Sequence, residues 1–366
     1  MSLSNSLPGP RVFRPDIQGL RAVAVLVVVL FHAGLPLPGG FIGVDVFFVI
    51  SGYVITALLL RTLHKENRID FRLFYERGIR RLIPGLTLVL VVTLAITFIL
   101  GSPFDNQQAV TAQTAIGAIT LSANAVIFLK SGGYFATPPT NNPLLNTWSL
   151  SVEEQFYLVF PLLVFVLWLI GRKVLHKISQ ERFLLAGLIF IAVVSFLLSI
   201  TMSFSFIHLR LSDPNWFAFY SSPTRAWEFT LGGIAFLAFR NGVGKIFSIV
   251  LFWVGLIGIV ASSLWISENM IFPGWVVLFP VIATVAVLVG GTRSPVGTQL
   301  LSNRGMVKLG DSSYSWYLWH WPFIAFGVML FPEMASVALY AALLSLPVSL
   351  LTTRHNKNHR QGVQKT

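Results

Sequence analysis

The 366-residue chain contains no cysteine, which excludes disulfides, thiol catalysis and cysteine-held metals. Charge is nearly as scarce. Asp, Glu, Lys and Arg make up 11% of the residues against 55% hydrophobic ones, and the mean hydropathy is +0.74. No soluble domain of this length has an interior large enough for that much apolar side chain. Acidic residues are the rarer sign, 14 against 26 Lys and Arg, for a net charge of +12. There is no HExxH pattern and no clustered-carboxylate signature, so no metal site is expected. The first apolar run lacks the small-residue cleavage site of a signal peptide, and a second run begins close behind it near Gly43. The internal repeats that would mark the inverted halves of a secondary transporter are not visible either.

What the chain does have is a succession of apolar runs, each long enough for a hydrocarbon core about 30 Å thick. They lie near 19–36, 43–60, 82–100, 149–170, 183–203, 224–239, 246–265, 272–291, 312–331 and 335–352. The sequence therefore reads as an all-α polytopic membrane protein of about ten transmembrane helices. A further run at 107–129 is long enough to cross but carries many Gln, Thr, Ser and Asn. The basic residues decide its place. With ten spans and both termini cytoplasmic, every Lys and Arg except Lys130, Arg210 and Arg225 lies inside, as the positive-inside rule asks. If 107–129 also crossed, that asymmetry would collapse, so it is expected as one extra re-entrant or outer-surface helix. The basic excess is thus a topology signal, and no nucleic-acid partner is expected. The division that follows is a cytoplasmic tail over 1–16, a transmembrane domain over 17–352 and a basic tail over 353–366, expected to be disordered.

Arg21 and His32 stand at the two ends of the run LRAVAVLVVVLFHAG. Eleven residues are three helical turns plus about 20°, so both leave one helix face, about 16 Å apart along the axis. Ionisable groups inside a membrane mark function by default. On the cytoplasmic side Arg77, Arg80 and Arg81 follow at i, i+3 and i+4, on one helical face. With Arg21 they form a candidate phosphate site, since guanidinium forks grip phosphate oxygens in pairs. On the outer side Asp45, Glu153, Glu154, Arg225 and Glu228 gather at the ends of three spans, at the depth of His32, with Trp148 just before the two glutamates. Any one of them could be an ordinary interface residue; their convergence on a histidine argues for a site. His320 is a second intramembrane histidine, in SSYSWYLWHWPF. Pro322 and three neighbouring tryptophans predict a bent, crowded helix there, and a packing role and a catalytic one both stay open for His320. Ser51-Gly52 reads as a close-packing point rather than a nucleophile.

These segments carry a family resemblance. RPDIQGLRAVAVLVVVLFHAG, GGFIGVDVFFVISGYVITALLL, FYERGIRRLIPG, PLLNTWSLSVEEQFYLVFPLL, PTRAWEFTLGG and LGDSSYSWYLWHWP resemble, in that order, segments of the acyltransferase-3 family of bacterial membrane O-acyltransferases. The likeness covers roughly residues 14 to 350 and is greatest to the O-antigen and peptidoglycan acetyltransferase branch. It implies that Arg21 and His32 form the family's Arg-x10-His pair and that Arg77 and Arg80 form its Arg-x-x-Arg motif. It implies acetyl-CoA, or another acyl-CoA, as donor on the cytoplasmic side. The acceptor would be a cell-surface glycan or glycolipid on the outer face. The setting would be the bacterial cytoplasmic (inner) membrane, with membrane lipid around a multi-pass protein. The chain departs from the family after the last span, where TTRHNKNHRQGVQKT stands in place of an aromatic–acidic–proline stretch. No SGNH hydrolase-like domain is assigned to it, which leaves room for a separate extracytoplasmic acyltransferase partner.

The mechanism expected on this basis has His32 as general base toward a sugar hydroxyl, or as the acyl carrier itself. Asp45 or Glu153, with Glu154 beside them, would orient its imidazole, and Arg225 or a Trp indole N–H would meet the developing oxyanion. Glu228, Trp148 and His320 would be auxiliary. A transporter or flippase of acyl or glycan intermediates, and an inactive truncated relative, are the competing readings. The acceptor hydroxyl and the acyl length are not readable from the residues.

Overall fold

The computed structural model describes residues 14–101, 106–130, 142–174, 180–206 and 213–363. Every regular element among them is helical. In chain order they are α1 (Pro15–His32), a single 3-10 turn at Gly40–Ile42, α2 (Gly43–Glu66), α3 (Phe71–Leu100), α4 (Gln107–Ile119), α5 (Ala123–Lys130), α6 (Thr147–Val174) and α7 (Gln180–Ser203). There follow α8 (Pro214–Tyr220), α9 (Ser222–Phe239), α10 (Lys245–Trp265), α11 (Leu278–Gly290), α12 (Pro295–Leu301), α13 (Arg304–Asp311), α14 (Ser313–Leu330) and α15 (Val337–Val363). The expected tail up to residue 13, most of the outer loop at 130–148, and Lys177 and Arg210 lie outside the described residues.

Each of the ten expected spans overlaps a helix, and among the described residues seven helices are long and apolar enough to cross a membrane: α1, α2, α3, α6, α7, α10 and α15. The other three are α9, α11 and α14. Arg225 and Glu228 dilute the apolar character of α9, and Ser, Tyr, Trp and His that of α14. Helix α11 has 13 residues, about 20 Å at 1.5 Å per residue. The 107–129 run is not one helix. It breaks after Ile119, with Leu121 at φ 57, into α4, which is as short as α11 but carries Gln and Thr along its length, and α5, which has only eight residues. Two helices replace the one expected. At the other end of the chain α15 runs on through Val363, so residues 353–363 continue the last helix instead of forming the disordered tail the composition suggested.

Helix α1 lies inside the bundle, against α2, α12, α13, α14 and α15, with Ala22, Ala24, Val25 and Val28 fully buried. Small residues set a close crossing between α2 and α9. A Cβ on Gly52 would stand 1.8 Å from the Phe229 carbonyl oxygen, and one on Gly232 would stand 2.0 Å from that of Val49. Gly52 is thus the packing point expected, and the backbone contact it permits brings the polar ends of α2 and α9 together. Helix α3, capped by the Asp70 side chain on the Leu73 N–H, packs on α4, α14 and α15. The Tyr75 hydroxyl reaches from it to the Leu158 carbonyl of α6 at 2.7 Å.

Candidate functional site

Three adjoining cavities follow α1 and α2 through the bundle. The first is lined by His32, Trp148, Arg225, Tyr317 and Trp321, with Asn146 among them. The second holds Arg21, Ser51, Arg81, Glu153, Glu154 and Tyr157, and the third Arg77, Arg81 and Glu154 among mostly apolar side chains of α2, α3 and α6. Val44 and Tyr317 line both the first and the second. Arg81, Glu154, Tyr157 and Tyr314 line both the second and the third. The open space in and immediately outside them grows from about 410 through about 710 to about 2080 Å³. The shape is a funnel, wide at the arginines of α3 and narrow at His32.

At the narrow end His32, the last residue of α1, meets His320. Nδ1 of His32 is 3.1 Å from Nε2 of His320, and the rings stack with centroids 5.2 Å apart. Trp321 stands edge-on to His32 at 4.8 Å. His320 is fully buried, its Nδ1 directed at the Tyr317 carbonyl 2.7 Å away. The two intramembrane histidines, 288 residues apart in sequence, are therefore one unit.

Asp45 and Glu153, the carboxylates expected to orient His32, are engaged elsewhere. Asp45 of α2 binds Arg225 of α9, which also pairs with Glu228 one turn on at 3.1 Å. All three are fully buried, and the single cation is shared between the two carboxyl groups, which makes Arg225 the group that holds the cluster together. The guanidinium lies 5.6 Å from the ring centres of Phe48 and Phe272 and 5.9 Å from that of Phe219. Its Nη1 has no hydrogen-bond partner among the described residues, and Arg225 lines the His32 cavity. Glu153 accepts from the Ser51 hydroxyl and from Tyr157 at 2.8 Å. Ser51 is therefore a polar member of the second cavity as well as the neighbour of a packing glycine. Trp148 is buried in the His32 cavity wall, its ring 4.6 Å from that of Phe219.

The arginines of α3 divide. Arg81 joins Arg21 in the second cavity, and Arg77, one turn before Arg81, lines the third. Arg80, exposed like the other two, pairs with Glu76 at 2.5 Å and lines none of the three cavities. The single face expected for all three resolves into Arg77 and Arg81 on the cavity side and Arg80 beside it. Arg21 itself reaches Gln18 at 3.3 Å.

Asn146 was not singled out by the sequence. Its Nδ2 donates to the Tyr317 carbonyl at 2.6 Å, which leaves Oδ1 buried without a partner among the described residues. The only signal for it is an amide two residues before Trp148 in LLNTWSL.

Comparison with known proteins adds to this geometry. The profile of the family described as Acyltransferase domain matches residues 14–354. The chain is 30% identical over 352 residues to the O-acetyltransferase OatA of Staphylococcus aureus (strain NCTC 8325 / PS 47), covering 93% of this chain and 55% of that protein. It is 28% identical over 355 residues to the peptidoglycan O-acetyltransferase OatA of Listeria monocytogenes, covering 93% of this chain and 54% of that one. A third relative, a putative O-acetyltransferase of Staphylococcus aureus (strain MSSA476), is 33% identical over 325 residues, which are 86% of this chain and 51% of its own. The chain spans about half the length of the curated relatives it matches. No solved structure matches.

Proposed function

Because the chain belongs to the acyltransferase-domain family, we propose that it moves an acetyl group from acetyl-CoA, entering on the cytoplasmic side, to a hydroxyl of an extracytoplasmic cell-surface glycan. One relative named for peptidoglycan O-acetylation favours peptidoglycan as that glycan. The setting is the inner membrane, with ten spans and both termini cytoplasmic. The observation that carries the reading is the line of cavities from Arg77 and Arg81 to His32, joined by shared walls. A transfer across a membrane needs such a line: cations for phosphates where it is wide, a base where it is narrow.

In this reading Arg21, Arg77 and Arg81 hold the phosphates of the donor, and the pantetheine arm lies along the second cavity past Tyr157 and Tyr317. His32 takes the proton of the acceptor hydroxyl through Nε2 as the oxygen attacks the thioester carbonyl. Arg225 Nη1 meets the oxygen that becomes anionic, the role its unpartnered N–H suits. The carbon–sulfur bond then breaks, and the proton on His32 passes to the departing thiolate, leaving an ester and the free thiol of CoA. A narrow, aromatic-walled end fits acetyl better than a longer chain.

The test is transfer of radiolabelled acetyl from acetyl-CoA to a soluble glycan oligomer by the purified protein in liposomes. His32→Ala should abolish transfer and leave the protein in the membrane. Full activity in that variant overturns the role of His32, and release of unchanged acetyl-CoA on the far side would make the protein a transporter.

A further inference from the structure

The hydrogen bonds around His320 fix more than its own position. Nδ1 of His320 lies 2.7 Å from the Tyr317 carbonyl oxygen and 3.2 Å from that of Trp316. A carbonyl oxygen only accepts, so this nitrogen carries a hydrogen. In the neutral ring the lone pair is then on Nε2. That Nε2 faces Nδ1 of His32 at 3.1 Å. A lone pair calls for a donor, so Nδ1 of His32 carries its hydrogen and Nε2 of His32 holds the lone pair.

We propose that His320 is a positioning residue: it locks His32 in the Nδ1–H tautomer, so that Nε2 is the atom that receives the proton of the acceptor hydroxyl. The proposal rests on His32 being the base. In a serine-protease triad a carboxylate does this work. Here Asp45 is held by Arg225, and Glu153 by Ser51 and Tyr157, so a neutral imidazole does it without placing another charge between aromatic walls. When His32 is protonated, its Nδ1–H to His320 becomes a charge-assisted hydrogen bond. The His320 Nδ1–H to the Tyr317 carbonyl extends the chain and spreads the charge. Two other charged or titratable side chains line the same cavity. Arg225 of α9 is paired with Asp45, and the Tyr317 hydroxyl of α14 bonds the Ser149 hydroxyl at 2.6 Å.

The anchor of the lock is itself fixed. The Tyr317 carbonyl also accepts from Asn146 Nδ2 at 2.6 Å, so α14 and the turn leading into α6 hold it from two sides. His320 is fully buried and packs near Tyr317, ring centres 5.3 Å apart, which leaves the imidazole little room to turn over.

The experiment is nitrogen-15 magnetic resonance of histidine-labelled protein in lipid nanodiscs, with the His32 signals assigned by their loss in His32→Ala. The expected spectrum shows a protonated Nδ1 and an unprotonated Nε2 for His32; the opposite tautomer overturns the proposal whatever the activity. His320→Leu should lower kcat by about a hundredfold, the usual size of a misplaced base, with KM for acetyl-CoA unchanged. His320→Gln can donate to the Tyr317 carbonyl and accept from His32, and should keep kcat within about tenfold of the parent. Equal losses in the Leu and Gln variants, both folded, also overturn it. If the Leu variant does not fold, the parent spectrum and the Gln variant decide. Full transfer by His32→Ala would remove the catalytic reading instead, while the spectrum still reports whether the tautomer is locked.

Discussion

Arg80 and Arg81 are neighbours in sequence, yet one turns to Glu76 at the surface and the other stands where two cavities join. A step of about 100° around a helix separates them, and that step decides which one can meet a phosphate. Arg81→Ala should raise KM for acetyl-CoA at least about tenfold, the loss of one charge-assisted contact, and Arg80→Ala should leave it within about twofold. Steady-state kinetics of the two variants in liposomes compare them directly, and an equal effect would return Arg80 to the site. Asp45 is a second case in which partners decide the role. Held against Arg225 in a fully buried ion triad with Glu228, it stabilises α2 against α9. Asp45→Ala leaves a buried cation short of a partner and should cost about 3 kcal/mol or more, read as a lower melting temperature of the solubilised protein. A variant that melts like the parent but does not turn over would restore Asp45 to the chemistry.

Between elements, the crossing of α2 and α9 sets the geometry around that triad. Gly52→Ala would push a methyl group to 1.8 Å from the Phe229 carbonyl. Backbone cannot yield there without parting the helices, so the variant should melt several degrees lower and lose transfer, whereas Gly78→Ala, with open space around its Cβ position, should be neutral or slightly stabilising through helix propensity. Thermal melting followed by loss of monodisperse protein measures both. The helices themselves were legible in sequence because apolar runs of membrane length have few alternatives. His32 stood out as a candidate too, through the cost of an ionisable group within an apolar run. The break at Leu121 was not, since a polar-flecked run carries no local signal for a left-handed residue. Nor was the partner of His32. It sits on α14, and periodicity within α1 says nothing about which distant helix arrives beside it. Three carboxylates looked like better partners than a second imidazole, because residue chemistry alone cannot show that they already have partners.

Over the whole molecule, the scarcity of charge gives each cation a topological vote. The proposed ten-span arrangement would put the connections near 241 and 303 in the cytoplasm and those near 269 and 333 outside. The absence of cysteine makes the arrangement unusually easy to examine, because a single introduced thiol is the only one in the protein. Asn241, Asn269, Asn303 and Glu333 are all exposed at helix connections, so replacing each in turn should leave the bundle intact, at the cost of one helix cap in the case of Asn303. A membrane-impermeant maleimide added to spheroplasts should label Asn269→Cys and Glu333→Cys at once, and Asn241→Cys and Asn303→Cys only after the membrane is opened. This pattern bears on the mechanism, not only on the fold. It would fix Arg81 near the cytoplasmic boundary and His32 toward the outside, the order that carries an acyl group outward from a cytoplasmic donor. The reverse labelling would turn the funnel around and place the base on the side of the donor, where it could not meet an external glycan. Labelling at 241 from outside together with 269 would put both ends of α10 outside, and both ends of α9 with them, so that neither helix crosses. The buried Arg225 triad would then sit at a surface, and the close contact of Gly52 with Phe229 would have no membrane to span.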